Sequence, residues 1–481
     1  MIKRTRPTPK TIYIAALAAF LSTLLAACSF QQYASKAINP VANAAKFERK
    51  DPAGEQFHQY LLNNGYTADH LPLQQWGMDE LTYCALFFHP SLDVARAQWR
   101  AAESAELTAA ERTAPSANGR FAHSNRANQD ISPFAFGLSI DISIETANKR
   151  NIRIENARHL SQAAKLEIAQ TAWQLRNQVV QSLGEYQFNQ QQIKLLLDEV
   201  SRRQEVVAIY QKRVSLGVAS NVELSSANLQ LQTATTELNA RQQSKLVLMS
   251  KLASNLGLPF SKVETMNLLS EPLNQSAQQN PVMPADLQTT ALLNRLDLRI
   301  ALERYAAAEA KLKLEIAKQY PDLVINPGYA YEFGDRIWSL GLSGLLTFLN
   351  KNKVAIAEAT QLRAVEAAQF EVLQAKVISE ANIANAELSQ AKQTLVNQQE
   401  LFKQQQRNTQ RMQRKFATGE IDRLELAYAK LEDNAAEKNV ALANFQLITS
   451  LNQLENTLQQ PLSKTKFNSN IEDLSFNKSA D

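Results

Sequence analysis

Apolar residues alternate with small or polar ones from Phe134 to Glu145: Phe134, Phe136, Leu138, Ile140, Ile142 and Ile144 lie between Ala135, Gly137, Ser139, Asp141, Ser143 and Glu145. A period of two predicts a strand with one greasy face and one polar face. At about eleven residues the run has the length of a tilted membrane strand, and its alternation suits lipid outside and water inside. Trp338, Leu340, Leu342, Leu346 and Phe348 repeat the pattern, interrupted by Gly344, and Tyr329, Tyr331 and Phe333 predict a strand just before it. A half-buried sheet in a soluble domain gives the same alternation. Four strand candidates are present, two around residues 116–144 and two around 323–348. So few strands cannot close a membrane barrel, and an open edge in lipid leaves backbone groups unpaired at several kcal/mol each. A membrane reading therefore requires several copies to share one barrel.

After each strand pair the period changes to between three and four. Leu424, Ala427, Leu431 and Ala435, then Leu447, Leu451, Leu454 and Leu458, follow the spacing of a coiled-coil seam. All 15 prolines lie outside the windows 134–258 and 328–460, so both windows permit very long helices. The first helix is predicted from about Asn148 to Val214, roughly 100 Å at 1.5 Å per residue. It turns at Gly217 and returns as an antiparallel partner to Gly257-Leu258-Pro259; the second does the same around Gly419 and stops at Pro461. Val214 to Leu224 matches Phe416 to Leu426 after a step of about 200 residues, so one plan occurs twice. The shorter helices ahead of the strands correspond too, Pro90 to Pro115 with Leu296 to Pro321, as do Asn148-Lys149-Arg150 and Asn350-Lys351-Asn352.

The N-terminus adds a compartment. Lys3, Arg4, Arg6 and Lys10 precede an apolar run from Ile12 that ends at Leu25-Ala26-Ala27-Cys28, the pattern of a bacterial lipoprotein signal. Cleavage leaves Cys28 as the acylated first residue, and Ser29 rather than Asp after it implies the outer membrane. A short membrane anchor with an incidental cysteine is the alternative. Cys84 then stands alone, which rules out an intrachain disulfide in the mature chain. A net charge of +4 spread over both halves contains no basic block for nucleic acid. Hydrophobic residues make up 45% but aromatics only 7%, the composition of closely packed helices. His58, His70, His89, His123 and His159 have no paired ligand spacing. No phosphate loop, nucleophile elbow or HExxH is present either, so neither a catalytic site, a metal site nor a cofactor is expected.

The duplicated strand-to-helix plan, the Gly217 and Gly419 turns and the lipobox at Cys28 resemble the TolC family of outer-membrane efflux proteins, lipoprotein branch, over about residues 75–462. The stretch Trp76 to Trp99 and the run Ile144 to Arg150 look most like components paired with cobalt-zinc-cadmium pumps, with Asn148 where glycine is expected. The resemblance implies a mainly α fold with a small β part: two tandem repeats of long antiparallel hairpins plus four transmembrane strands per chain, in a trimeric α/β barrel tube. It divides the chain into a signal peptide (1–27), a lipidated arm (28–75), a first repeat (76–262), a linker (263–284), a second repeat (285–462) and a tail (463–481). Residues 29–75 show no clear period and are expected to be an extended arm. The implied function is a passive outer-membrane duct for small molecules or metal ions. Its implied partners are a periplasmic membrane-fusion adaptor, an inner-membrane pump of the resistance-nodulation-division type, and outer-membrane lipid. The hairpin tips, Gly217, Val218, Ala219, Ser220, Gly419, Glu420, Ile421 and Asp422, are implied to dock the adaptor. In the family an acidic residue six positions after the turn glycine helps form the closed constriction; Glu223 and Glu425 match it. The family's tyrosine three residues before the second glycine is Phe416 here, and Arg423 is the candidate for a replacement ion pair. A structural coiled-coil lipoprotein without transport activity is the competing function.

Overall fold

The computed structural model describes residues 31–125, 131–269, 286–344 and 351–462. Cys28 and its signal segment, Leu346, Phe348, most of the linker and the tail lie outside the described residues. The chain forms two units, divided after Arg49. The first contains helix α1 (Pro40–Glu48), started by Pro40 and by the Asn39 side chain, which accepts from the Val41 and Ala42 amides.

The second unit begins with α2 (Glu55–Asn63), α3 (Met78–Phe88) and α4 (Pro90–Ala110). Strands β1 (Ser116–His123) and β2 (Phe134–Ile144) follow, then α5 (Lys149–Ser215), α6 (Asn221–Leu256) and the short α7 (Phe260–Glu264). The second copy runs through α8 (Leu287–Asn294), α9 (Leu296–Ala317), β3 (Leu323–Glu332), β4 (Asp335–Gly344), α10 (Lys353–Ala417) and α11 (Arg423–Leu458). The repeat is close in length: α5 and α10 have 67 and 65 residues, and α6 and α11 have 36 each. No described helix is long and apolar enough to cross a membrane.

The four strands form one antiparallel sheet in the order β1-β2-β3-β4. Below it the main helix contacts run α4-α5-α9-α10, and further along α6-α5-α11-α10. The sequence explains the joints. Ala147 with Asn148, and Lys351 with Asn352, hold left-handed backbone in front of the two long helices. Asparagine tolerates that region better than other residues with a side chain, which accounts for Asn148 where glycine was expected.

The main core lies where the long helices pass the short ones. Phe57, Leu61, Leu81, Leu86, Leu92, Ile168, Trp173, Leu252 and Leu256 are all but fully buried there. Each such side chain contributes about 1.5–3 kcal/mol by leaving water. Residues 55–63 therefore correct the expectation of an extended arm: a single turn and a half of apolar spacing was too short to register as a period, yet Phe57 and Leu61 anchor α2 in this core. Two smaller expectations change as well. Phe333 is not in a strand; with φ 51°, followed by Gly334 at φ 122°, it makes the two-residue turn between β3 and β4. On the α11 seam Ala435 is exposed and its neighbour Asn434 is buried. The Asn434 amide donates to the Leu195 carbonyl and to Asp198, both at 3.0 Å, so hydrogen bonding to α5 decided the facing.

Candidate functional site

The sheet sorts its side chains by face. Register places Leu138 beside Tyr329 and Trp338, and Ile142 beside Ile325 and Leu342, which makes one continuous apolar surface. Trp338, Leu340 and Leu342 are more than 70% exposed in the single chain, unsuited to contact with water over such an area. The opposite face carries Asn118, Ser139, Asp141, Asn326, Ser339 and Ser343. Asn118 and Asn326 both donate to Asp141. A surface that is greasy on one side and hydrogen-bonded on the other suits a wall between lipid and water. Only β1 and β4 have open edges among the described strands.

At the far ends of the hairpins the two turns use the same device. Gly217 (φ 73°) and Gly419 (φ 78°) close α5 and α10, and the amides after them, of Val218 and Glu420, reach back to the Arg213 and Lys415 carbonyls at 2.9 Å. This six-to-one bond with a left-handed glycine is the Schellman ending, and it turns the chain sharply. The side chains then differ. The first tip leaves Leu216, Val218 and Val222 67–78% exposed. Ser220 caps α6, with the Glu223 carboxylate accepting from the Ser220 amide at 2.8 Å and from its hydroxyl at 2.9 Å. These bonds, the backbone one first, hold the Glu223 carboxyl below the usual range.

The second tip is charged and tied to α5. Asp422 caps α11 by accepting from the Leu424 and Glu425 amides and also pairs with Arg213 at 2.5 Å. The Glu425 amide and then Arg213 lower its carboxyl. Arg423 pairs with Glu205 at 2.8 Å, and the Tyr210 and Tyr428 hydroxyls lie 3.5 Å apart. Burial, followed by the bond to Tyr210, pushes the Tyr428 hydroxyl up to about 12.

Residues 84–258 match the family model for outer membrane efflux protein. Over that stretch, which is the first copy of the repeat, the chain is similar to outer membrane efflux proteins. No curated relative matches the sequence. Among solved structures, the outer-membrane channel OprN is 18% identical, with a TM-score of 0.67 over 90% of this chain and 98% of its own. CusC, studied for the conformational changes accompanying folding and transmembrane channel formation, is 17% identical, with a TM-score of 0.65 over 80% of this chain and 92% of its own. The outer membrane protein VceC of Vibrio cholerae gives 16% identity and a TM-score of 0.65, covering 80% and 97%. At these identities the likeness is one of fold.

The residues singled out by sequence fall into two groups. The tip residues from Gly217 to Ser220 and from Gly419 to Asp422 are adjacent to the helix ends, with Glu223 and Glu425 in the first turn of the returning helices. Glu223 is engaged as a helix cap. The exposed Glu425 carboxylate makes no ion pair or hydrogen bond among the described residues. Glu205, Arg213, Tyr210 and Tyr428 were not anticipated; they lie over 200 positions from their partners, beyond any helical period. Cys84 is fully buried, and burial raises its thiol well above the ordinary value. His159 pairs with Glu303 at 2.6 Å beside an open groove between α5 and α9. Among the described residues no group of three or more His, Cys, Asp or Glu is placed to hold a metal ion.

Proposed function

We propose that the protein is the outer-membrane duct of a tripartite efflux system, a passive conduit through which small molecules or metal ions leave under power supplied by an inner-membrane pump. The observation that carries this reading is the four-stranded sheet, apolar on one face, polar on the other and open at both edges. Three copies joined edge to edge give about twelve strands, enough to close around water and to leave no backbone edge in lipid. The long hairpins would continue the tube into the periplasm. Exposed apolar residues on the outer helices, such as Leu229 and Val247 on α6 and Val372 and Val396 on α10, are available to pack between copies.

The purified protein is expected to run as a trimer after crosslinking and to give discrete conductance steps in planar bilayers. A monomer that adds no conductance would return the protein to the competing reading, a structural lipoprotein. Leu138→Arg or Leu342→Arg tests the wall itself. Arginine on a lipid-facing strand position costs about 2–4 kcal/mol near the bilayer midplane, so assembled trimer should fall, whereas Ser139→Arg and Ser343→Arg should be tolerated. Equal effects on both faces would remove the membrane barrel.

The remaining assignments belong to the same proposal. Cys28 is the acylated anchor, and Cys28→Ser should abolish palmitate labelling. The tips at Gly217–Ser220 and Gly419–Asp422 dock a periplasmic adaptor of the pump. Glu223 and Glu425 line the closed end, with Arg423 holding the second hairpin to Glu205. Repetition around a trimer sets such carboxylates in rings that favour cations. Glu223→Gln with Glu425→Gln should weaken cation preference and raise resting conductance; unchanged reversal potential and conductance would place the constriction elsewhere.

A further inference from the structure

Each of the four passages between strand and helix contains basic residues: Arg112 before β1, Lys149 and Arg150 after β2, Lys318 before β3, and Lys351 with Lys353 after β4. The acids at this level are largely consumed within the fold. Asp322 pairs with Lys149 at 2.7 Å, Glu145 with Arg153 at 2.6 Å and Glu315 with Lys318 at 2.7 Å. Arg112, Lys351 and Lys353 are exposed and have no ion pair among the described residues, against the exposed and likewise unpaired carboxylates of Glu111 and, further into α10, Glu358. Arg150 spends its Nε on the Ala110 carbonyl at 2.7 Å and stays half-buried. The chain therefore presents a surplus of free cations in this narrow zone.

The zone continues the apolar face of the sheet. Ile144, Leu323 and Gly344 pair across the end of the sheet, with Ile144 and Leu323 exposed. Beyond them come Tyr320, 61% exposed, and Val354, 85% exposed. An aromatic ring and free cations just past the end of a lipid-facing surface match the order of groups in a bilayer, acyl chains first and charged headgroups next.

We propose that these strand-to-helix junctions form a basic girdle that binds the phosphate groups of anionic phospholipids in the leaflet at the helical end of the barrel. Arg112, Lys351 and Lys353 contact the headgroups while Tyr320 and Val354 lie against the glycerol and upper acyl region. The proposal rests on the membrane-barrel reading. The girdle would fix the depth of the barrel and give it a shell enriched in anionic lipid. The attraction is electrostatic and is screened by salt.

The test uses the full-length acylated protein in vesicles of phosphatidylethanolamine and phosphatidylglycerol, extracted gently and analysed for co-purifying lipid by mass spectrometry. The wild type is expected to retain phosphatidylglycerol several-fold above its share of the vesicle, less so at high salt. The variant Arg112→Gln, Lys351→Gln, Lys353→Gln should lose that enrichment while inserting and conducting as before. A charge-matched control, Lys392→Gln, Lys403→Gln, Arg407→Gln on α10, should keep it. No enrichment in an inserted, conducting wild type would overturn the girdle alone, as would full enrichment in the junction variant or equal loss in the control. A wild type that neither inserts nor conducts would overturn the barrel reading and the girdle with it.

Discussion

Helices α5 and α11 meet near the core and again at the tip, and the two meetings are built differently. Near the core, Arg176 and Glu455 pair at 3.0 Å with their side chains only 4% and 8% exposed. Arg176 also lies over the Trp173 ring at 5.2 Å, Trp173 donates to Asn456, and the Leu462 amide donates to Glu455 at 2.8 Å. At the tip the pairs Arg213–Asp422 and Arg423–Glu205 have similar or shorter distances, yet every member is about a third or more exposed. Distance does not rank these ties; solvent does. A buried pair that loses one partner strands a charge, whereas an exposed one exchanges its partner for water at little cost. The same helix pair is thus fixed at one end and releasable at the other, as the proposed duct would need in order to open at its tip without coming apart.

The contrast can be broken from the buried end first. Arg176→Ala should destabilise the protein by about 3–5 kcal/mol, measured as a loss of thermal or denaturant resistance, while Arg176→Met with Glu455→Leu should recover much of it. A small effect of the single change would mean that water already reaches the pair. Midway along the seam, Asn434→Ala removes one donor from the Leu195 carbonyl and one from Asp198, which keeps its pair with Arg202, and should cost about 0.5–1.5 kcal/mol. Gly419→Val and Gly217→Val force a branched residue into left-handed backbone at about 1–2 kcal/mol. Nothing lies within 4 Å of an added Cβ at either glycine, so assembly should survive and crosslinking to the adaptor should weaken.

The smallest effect on stability is expected at the tip ties. Asp422→Asn with Arg423→Gln should cost at most about 1 kcal/mol per pair, but should raise resting conductance in bilayers more than Arg176→Met with Glu455→Leu does. Equal conductance in the two double variants would end the distinction between a fixed and a releasable end. Acid sharpens it further. Carboxyls held low in the fold, Asp422 and Glu223, stabilise above the ordinary carboxylate range and lose that contribution as pH falls below about 4. Asp433 and Glu437, farther along the seam and raised chiefly by burial, act in the opposite sense and favour the fold as they take up protons. Mild acid should therefore tighten the middle of the seam before stronger acid loosens the tip, a difference that hydrogen exchange of α11 amides would resolve.

Much of this architecture was legible because it is periodic. Alternation in Phe134–Ile144 marked the apolar face of the sheet, absence of proline marked the long helices, and glycine in matched surroundings marked both turns. What was missed is non-periodic or depends on contacts distant in sequence. Asn434 and Ala435 differ by one position on the same helix, and only the Leu195 carbonyl across the seam decides which turns inward. The partners of Arg423 and Asp422 lie on a helix more than 200 residues earlier, so charge could suggest a pair without naming Glu205 or Arg213. Phe333 joined the alternating aromatics by its chemistry, but the φ of Gly334 beside it makes that dipeptide a turn.

The open edges at β1 and β4 have a genetic consequence. A ring made of identical chains needs both edges of every member, so a chain with a ruined β1 would still be recruited through its sound β4. Such a subunit would poison assemblies that also contain normal copies, and its allele would be dominant. Loss of the whole chain, by contrast, would leave the remaining rings intact and would be recessive.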